Sequence, residues 1–403
     1  MKFSKYLICL VVLNASLAHA ETEKGHYYFG AGVPYYNTNE LLTESMISLD
    51  KLALYGLRSF DGQVEEKTNP WLSAGYRITR SIGLDFPISL YAAEISHEVF
   101  GHGFPSKNYG GRIDRIKIGF PPIPYDFDYS SSTTTSGEDV PADIADEWAS
   151  HQKANGIQVE NSMSHQIKNK FWQANTVDYD SSILLLKTAY APGWYVLFMP
   201  PGSADKGNVN SSNDIAALAA RYSNYSGKHY TAGDIRDKAF LYNSLNPLVL
   251  WSWYGVARYM VTGESKTELP YVSVLDFKWL PGLSYTITGY GEEYQISNYF
   301  QTPGGISGSV EIGLGSVKND YRTSIVVNNL LGGPGSEFEL GAEFHRWKQE
   351  SIGTAGFLDL NYYLFGSKSA GVHLKAGYKS FGFLRGYGLK DGPLVSLGIV
   401  YRL

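Results

Sequence analysis

From about Tyr271 onward, apolar side chains fall on every second position of the chain. In "SEFELGAEFHRW", Phe338, Leu340, Ala342 and Phe344 share one face, while Glu337, Glu339, Glu343 and His345 share the other. The period returns at Val310, Ile312 and Leu314, at Leu358, Leu360, Tyr362 and Leu364, and at Val372, Leu374, Ala376 and Tyr378. Two is the side-chain period of an extended strand, because successive Cβ atoms point to opposite faces. Turn-forming stretches such as "GGPG" and "SKSA" separate these segments. The pattern predicts about nine antiparallel strands after Tyr271. "HYYFGAGVPYY" (His26 to Tyr36) predicts one more near the N-terminus.

Between roughly Phe86 and Gly263 the period changes. Pro87 suits the first turn of a helix, where its missing N–H costs nothing, and "PISLYAAEISHEVFGH" continues it to Gly101 or Gly103. "DIADEWASHQKANGIQVENSMSHQIKNKFW" predicts a long helix after Pro141, and "NDIAALAARYSNY" a helix starting at Asn213 or Asp214. Ile183–Met199 is broken by Lys187 and Pro192-Gly193, and Pro247–Val261 contains Arg258. Both are short for a membrane span and predict a buried helical core. "SSSTTTSG" (Ser130 to Gly137) and "PPGSADKGNVNSSN" (Pro200 to Asn213) predict polar loops.

Composition narrows the all-β possibilities. The chain has 31 Tyr, 19 Phe, 8 Trp and 43 Gly among 403 residues, which suits a membrane barrel with aromatic girdles. A secreted all-β domain suits it almost as well. The first residues favour export: Lys2 and Lys5, an apolar run from Leu7 to Leu13, and Ala18-His19-Ala20 predict a signal peptide cleaved after Ala20. The only cysteine, Cys9, lies inside that segment, so disulfides and thiolate–metal sites are excluded from the mature chain. Net charge is −5, and more negative once Lys2 and Lys5 are removed, which gives no footprint for nucleic acid. In "PLVSLGIVYRL" the residues Val395, Leu397, Ile399, Tyr401 and Leu403 alternate to the last position. This resembles the C-terminal assembly signal of Gram-negative outer-membrane proteins, with Leu403 where Phe is usual. The resemblance implies the barrel assembly machinery as a partner during biogenesis.

"SHEVFGHGF" carries the candidate chemistry, using two of the nine histidines in the chain. On an ideal helix His97 and His102, five steps apart, point about 140° away from one another. A one-residue π-bulge brings such positions together, and Gly101 offers no side chain to obstruct it. "HEVFGH" resembles the HExxGH motif of dipeptidyl peptidase III, a zinc peptidase whose motif helix carries one extra residue; the likeness covers six residues. It implies Zn²⁺ held by His97 and His102, with Glu98 as the general base. A third ligand on a later helix is then required. Glu160 is the expected one, because Gly156 one turn before it permits close approach of the two helices; Glu147, His151 and His165 are its rivals. Glu94 is a candidate acceptor for a ligand imidazole, and His229 or Tyr230 a candidate oxyanion donor.

The sequence thus predicts an outer-membrane antiparallel β-barrel of about 10–12 strands with a large α-helical insertion carrying a zincin-like site. The expected divisions are a signal peptide over 1–20, an N-terminal segment with one or more strands over 21–85, a helical metal-binding region over 86–265, and barrel strands over 266–403. The expected surroundings are outer-membrane lipid, and the expected activity hydrolysis of a peptide or protein substrate. The alternative is a non-enzymatic channel or surface-binding barrel whose metal is absent or structural.

Overall fold

Alternating strands of ten or so residues, joined by short turns, pair most simply with their sequence neighbours, and they do so here. The computed structural model describes residues 26–32, 39–65, 69–103, 106, 111–119, 131–137, 140, 142, 145–198, 209, 213–317, 320–332, 336–349, 351–364, 370–385 and 391–402. The expected signal peptide with Cys9, most of the loop over 200–213 and the terminal Leu403 lie outside the described residues.

Nine strands follow Tyr271: β6 (Val272–Val274), β7 (Phe277–Thr288), β8 (Gly291–Gln301), β9 (Ser307–Gly315), β10 (Tyr321–Leu331), β11 (Phe338–Lys348), β12 (Ile352–Tyr363), β13 (Ala370–Lys379) and β14 (Gly392–Arg402). Each pairs antiparallel with the next, and β1 (His26–Gly32) adds to β14 with Phe29 opposite Ile399. The result is a ten-stranded antiparallel sheet of which β6 contributes only three residues.

The polarity of this sheet is inverted relative to a soluble protein. Ile312, Ile325, Phe344, Leu358, Val372, Leu397 and Ile399 are exposed on one face. The other face buries Gln295, Glu311, Arg322, Ser324, His345, His373, Lys375 and Ser396. The inward charges are paired: Arg322 Nη2 lies 2.7 Å from Glu293 and 2.6 Å from Glu311, and Arg385 Nη2 lies 2.9 Å from the same Glu311 oxygen. Such pairing is what makes buried ions tolerable.

The expected hydrogen-bonded closure is not found. Among the described residues no strand joins β1 to β6 or β7. Helix α1 (Asn39–Arg58) packs on β1. A short α2 (Asp61–Glu65) leads to a helical rod running from Pro70 to Gly103: α3 (Pro70–Arg80), a π segment (Ser81–Asp85), α4 (Phe86–Ile95) and a second π segment (Ser96–Gly103). Helices therefore begin at Asn39 rather than near residue 86. Pro87 sits inside the rod, not at its start, two residues past the end of the first π segment, a wide turn suited to a nearby position lacking a backbone donor. Asn69 caps the rod, with Pro70 at the first turn.

The 30-residue α5 (Ala145–Ala174) lies along the polar face of the sheet. Lys168 Nζ reaches Ser284 Oγ at 3.2 Å, and Trp172 Nε1 donates to the Phe300 carbonyl at 2.8 Å. Around α5 stand α6 (Tyr179–Ala189), α7 (Ala191–Leu197), α8 (Asp214–Ser226), α9 (Ala232–Ser244) and α10 (Pro247–Thr262). Helix α9 packs on β7 through Asn243, which donates to the Tyr285 carbonyl, and α10 also meets β7. The apolar stretches containing α6 and α10 do contribute the helical core, with Leu184, Leu185, Leu248 and Val249 buried together. The outer face of α10 does not: Leu250, Trp253 and Tyr254 are exposed.

Two small ribbons complete the fold. The polar stretch expected to be a loop contains β3 (Ser132–Ser136), which pairs with β2 (Arg112–Lys117); Ser/Thr residues satisfy a strand as well as a loop when a partner strand is present. The second ribbon pairs β4 (Thr176–Asp178) with β5 (Lys266–Glu268). Among the described residues, no helix is long and apolar enough to cross a membrane.

Candidate metal centre

The five-residue spacing of the histidines is met by the helix itself. Ser96–Gly103 is π-helical, so a residue lies roughly above its fifth neighbour. The imidazoles of His97 and His102 stand with ring centroids 5.0 Å apart. Both are buried, at 2 % and 7 % exposure, as is Glu98 at 6 %.

The crossing with α5 explains both glycines. A Cβ on Gly101 would lie 2.5 Å from the Gly156 Cα, and a Cβ on Gly156 would run into the His97 ring. The close approach expected at Gly156 is therefore present. Gly101 answers to that crossing as well as to the widened turn.

Each imidazole is held from behind. His97 Nδ1 is 2.8 Å from Glu160 Oε1, and Glu160 Oε2 is 2.8 Å from Lys187 Nζ. His102 Nδ1 is 2.8 Å from the Gln152 carbonyl, while the Gln152 amide donates back to the His102 carbonyl at 2.9 Å. An acceptor at each Nδ1 places the proton there and leaves the Nε2 lone pair pointing into the site.

Glu160 is thus brought to His97 but on the far side of the ring. The third donor is Asp214, the first residue of α8. Its Oδ2 lies 3.1 Å from His102 Nε2 and 3.9 Å from His97 Nε2, and ligand atoms of the three residues lie within 4.8 Å of one another. Asp214 Oδ1 lies 3.2 Å from Lys153 Nζ. Asn213 caps α8 through the backbone N–H of Ala216, which fixes the residue that follows. In the sequence Asp214 reads only as an acidic residue in a first helical turn, and nothing adjacent marks it as a ligand.

The rivals lie elsewhere. Glu147 accepts from the Tyr290 hydroxyl. His151 packs between Tyr290 and Phe383, at ring distances of 4.8 and 5.3 Å. His165 faces Glu311 and Asn169. Tyr230 stacks edge-on against Tyr222. Sequence reasoning missed Tyr195, whose ring stacks on His97 at 5.6 Å and whose hydroxyl lies 3.5 Å from Asp214 Oδ2.

The electrostatics favour a cation. Burial alone pushes the His97 imidazole down, but the carboxylates of Asp214 and Glu160 outweigh it and hold its pKa well above the ordinary value. At 3.9 Å Asp214 acts on His97 as a charge rather than through a hydrogen bond. Asp214 is itself held below the usual carboxylate range despite burial, chiefly by His102. Glu160 is likewise held low against its burial, by Lys187 and His97. His97 Nε2 and Glu98 Oε2 are among the buried side-chain atoms with no hydrogen-bond partner. Such atoms are costly unless something occupies them, and two imidazole nitrogens with one carboxylate oxygen form a donor set that suits a divalent metal. The arrangement is a possible metal-binding triad of His97, His102 and Asp214. Compared with protein-family models, with curated proteins and with solved structures, the chain gives no match in any of the three.

Proposed function

We propose that this chain is an outer-membrane, zinc-dependent hydrolase that acts as a peptidase. The observation that carries the catalytic part is the meeting of His97 Nε2, His102 Nε2 and Asp214 Oδ2 beside a buried Glu98 oxygen that has no partner. His97, His102 and Asp214 would hold Zn²⁺, with Glu160 and the Gln152 carbonyl orienting the imidazoles. Zinc bound by three protein ligands supplies Lewis acidity and brings the pKa of water toward neutrality. Glu98 takes up the proton of the attacking water and returns it to the leaving amine, the general-base role that its unpaired oxygen suits. The likeness of "HEVFGH" to the zinc peptidase motif supports the peptide-bond assignment.

The membrane part rests on the sheet. An apolar exposed face over a polar, ion-paired interior is the arrangement that lipid selects, and the C-terminal strand favours delivery by the barrel assembly machinery. Helix α5 lies along the polar face of the sheet, which disfavours an open channel. The burial of all three donors favours one other reading, a structural metal in a non-enzymatic barrel.

Metal analysis of the detergent-extracted protein separates these readings. About one zinc per chain is expected, as for a single three-ligand site. His97→Ala should lose it, and Glu98→Gln should keep it while losing hydrolysis of peptide substrates. Absence of stoichiometric metal in the unmodified protein sinks the catalytic reading. Retained zinc without hydrolysis in either protein leaves the structural one.

A further inference from the structure

The rod from Pro70 to Asp85 is inside out. From Pro70 to Leu84 the exposed residues carry no charge. They include Trp71, at 87 % exposure, with Ile78 and Ile82. The charged residues of this stretch point inward instead. Arg80 bonds Asp61, Asp85 at 3.1 Å and the Tyr259 hydroxyl at 2.6 Å. Arg77 donates to the Val261 carbonyl at 2.8 Å, satisfying the last turn of α10.

Helix α10, which packs against α3, repeats the arrangement. Its exposed positions, among them Leu250, Trp253 and Val261, form one uncharged stripe. A soluble amphipathic helix puts such residues inward and its arginines outward. Both adjacent helices turn such residues outward, and α3 buries its arginines as well, while Arg258 of α10 stays partly exposed beside Glu264. A surface of this kind is fitted to an apolar solvent.

We propose that the bilayer covers this face, so that α3, the first π segment and α10 form a helical stretch of the lipid-facing wall beside strand β7, next to the short edge strand β6. Continuity favours lipid over a second protein. Leu248 and Val249 of α10 share a buried core with Leu280 of β7, so the exposed stripe of α10 and the exposed Phe277 and Trp279 of β7 both face away from that common core. Helix α10 has 16 residues, about 24 Å of helix, and lies in the wall without crossing the hydrocarbon core on its own. The inference rests on the membrane reading of the sheet given above.

The chain's only cysteine is Cys9, so single-cysteine variants in a Cys9→Ser background report single positions. Ile78→Cys and Trp253→Cys probe the helices. Leu397→Cys probes the outer face of the sheet, and Lys228→Cys the exposed turn between α8 and α9. Each full-length variant is labelled with a nitrobenzoxadiazole fluorophore and reconstituted into phosphatidylcholine–phosphatidylglycerol vesicles, with and without brominated acyl chains. Loss of emission at Ile78→Cys and Trp253→Cys, to the extent seen at Leu397→Cys and absent at Lys228→Cys, is expected. Quenching at Leu397→Cys alone overturns the inference while the membrane reading stands, and the stripe then belongs to a second copy or to a partner protein. No quenching at Leu397→Cys removes the membrane reading and the inference with it.

Discussion

At the residue scale, the site turns on which carboxylate faces which nitrogen. Asp214 stands on the Nε2 side of both imidazoles and Glu160 on the Nδ1 side of His97. The two positions have different consequences. Asp214→Ala removes a donor and should abolish stoichiometric zinc. Glu160→Gln keeps an acceptor at Nδ1 but loses the charge, and should weaken zinc by about 10–100-fold, the usual effect of disturbing a partner behind a ligand. Equilibrium titration with a competing chelator measures both. Zinc retained by Asp214→Ala and lost by Glu160→Gln would restore Glu160 as the ligand.

At the element scale, the motif depends on two helices crossing at glycine. A methyl group on Gly101 meets the backbone of Gly156, and backbone gives way less readily than a side chain. Gly101→Ala should therefore cost about 1–3 kcal/mol of stability, as overpacking of a tight contact does, and weaken zinc with it; thermal unfolding and metal titration report the two. An unchanged variant would mean that neither the crossing nor the widened turn needs the glycine. Much of this geometry was legible in the sequence: the nearness of His97 and His102 and the π segment follow from their spacing, and the close approach from Gly156. Asp214 was not, because a long-range contact leaves no local spacing to read. Nor was the stretch of α3 and the first π segment, where Ile78 and Ile82 point out and Arg77 and Arg80 point in, so that a soluble helix pattern assigns the wrong face to solvent. The strands could be read because their period of two survives whichever face is buried. Whether the two edge strands of the sheet meet could not, because a period of two marks a strand and not its neighbour.

At the scale of the whole molecule, the ten-stranded sheet wraps the elements that build the site. Inward pairs such as Lys375 Nζ with Glu343, at 2.8 Å, and with Glu40 of α1, at 2.6 Å, bind helices to strands. Folded protein should fractionate with the outer membrane and migrate faster unheated than boiled on a denaturing gel, as compact membrane sheets do. Recovery in the soluble periplasmic fraction would refute the membrane assignment and leave the metal centre standing. The pairing of β1 with β14 carries this further. The first described strand and the last are neighbours, so the helices that build the centre are enclosed, in chain order, between two strands that touch. Such a contact is among the most non-local a chain can make, and non-local pairing is slow to form. It acts as a clasp: closed late, it holds the rest shut. Removing residues 26–32 should speed assembly and shorten the lifetime of the assembled protein in detergent, so the last strand pair to form would set how long the folded chain endures.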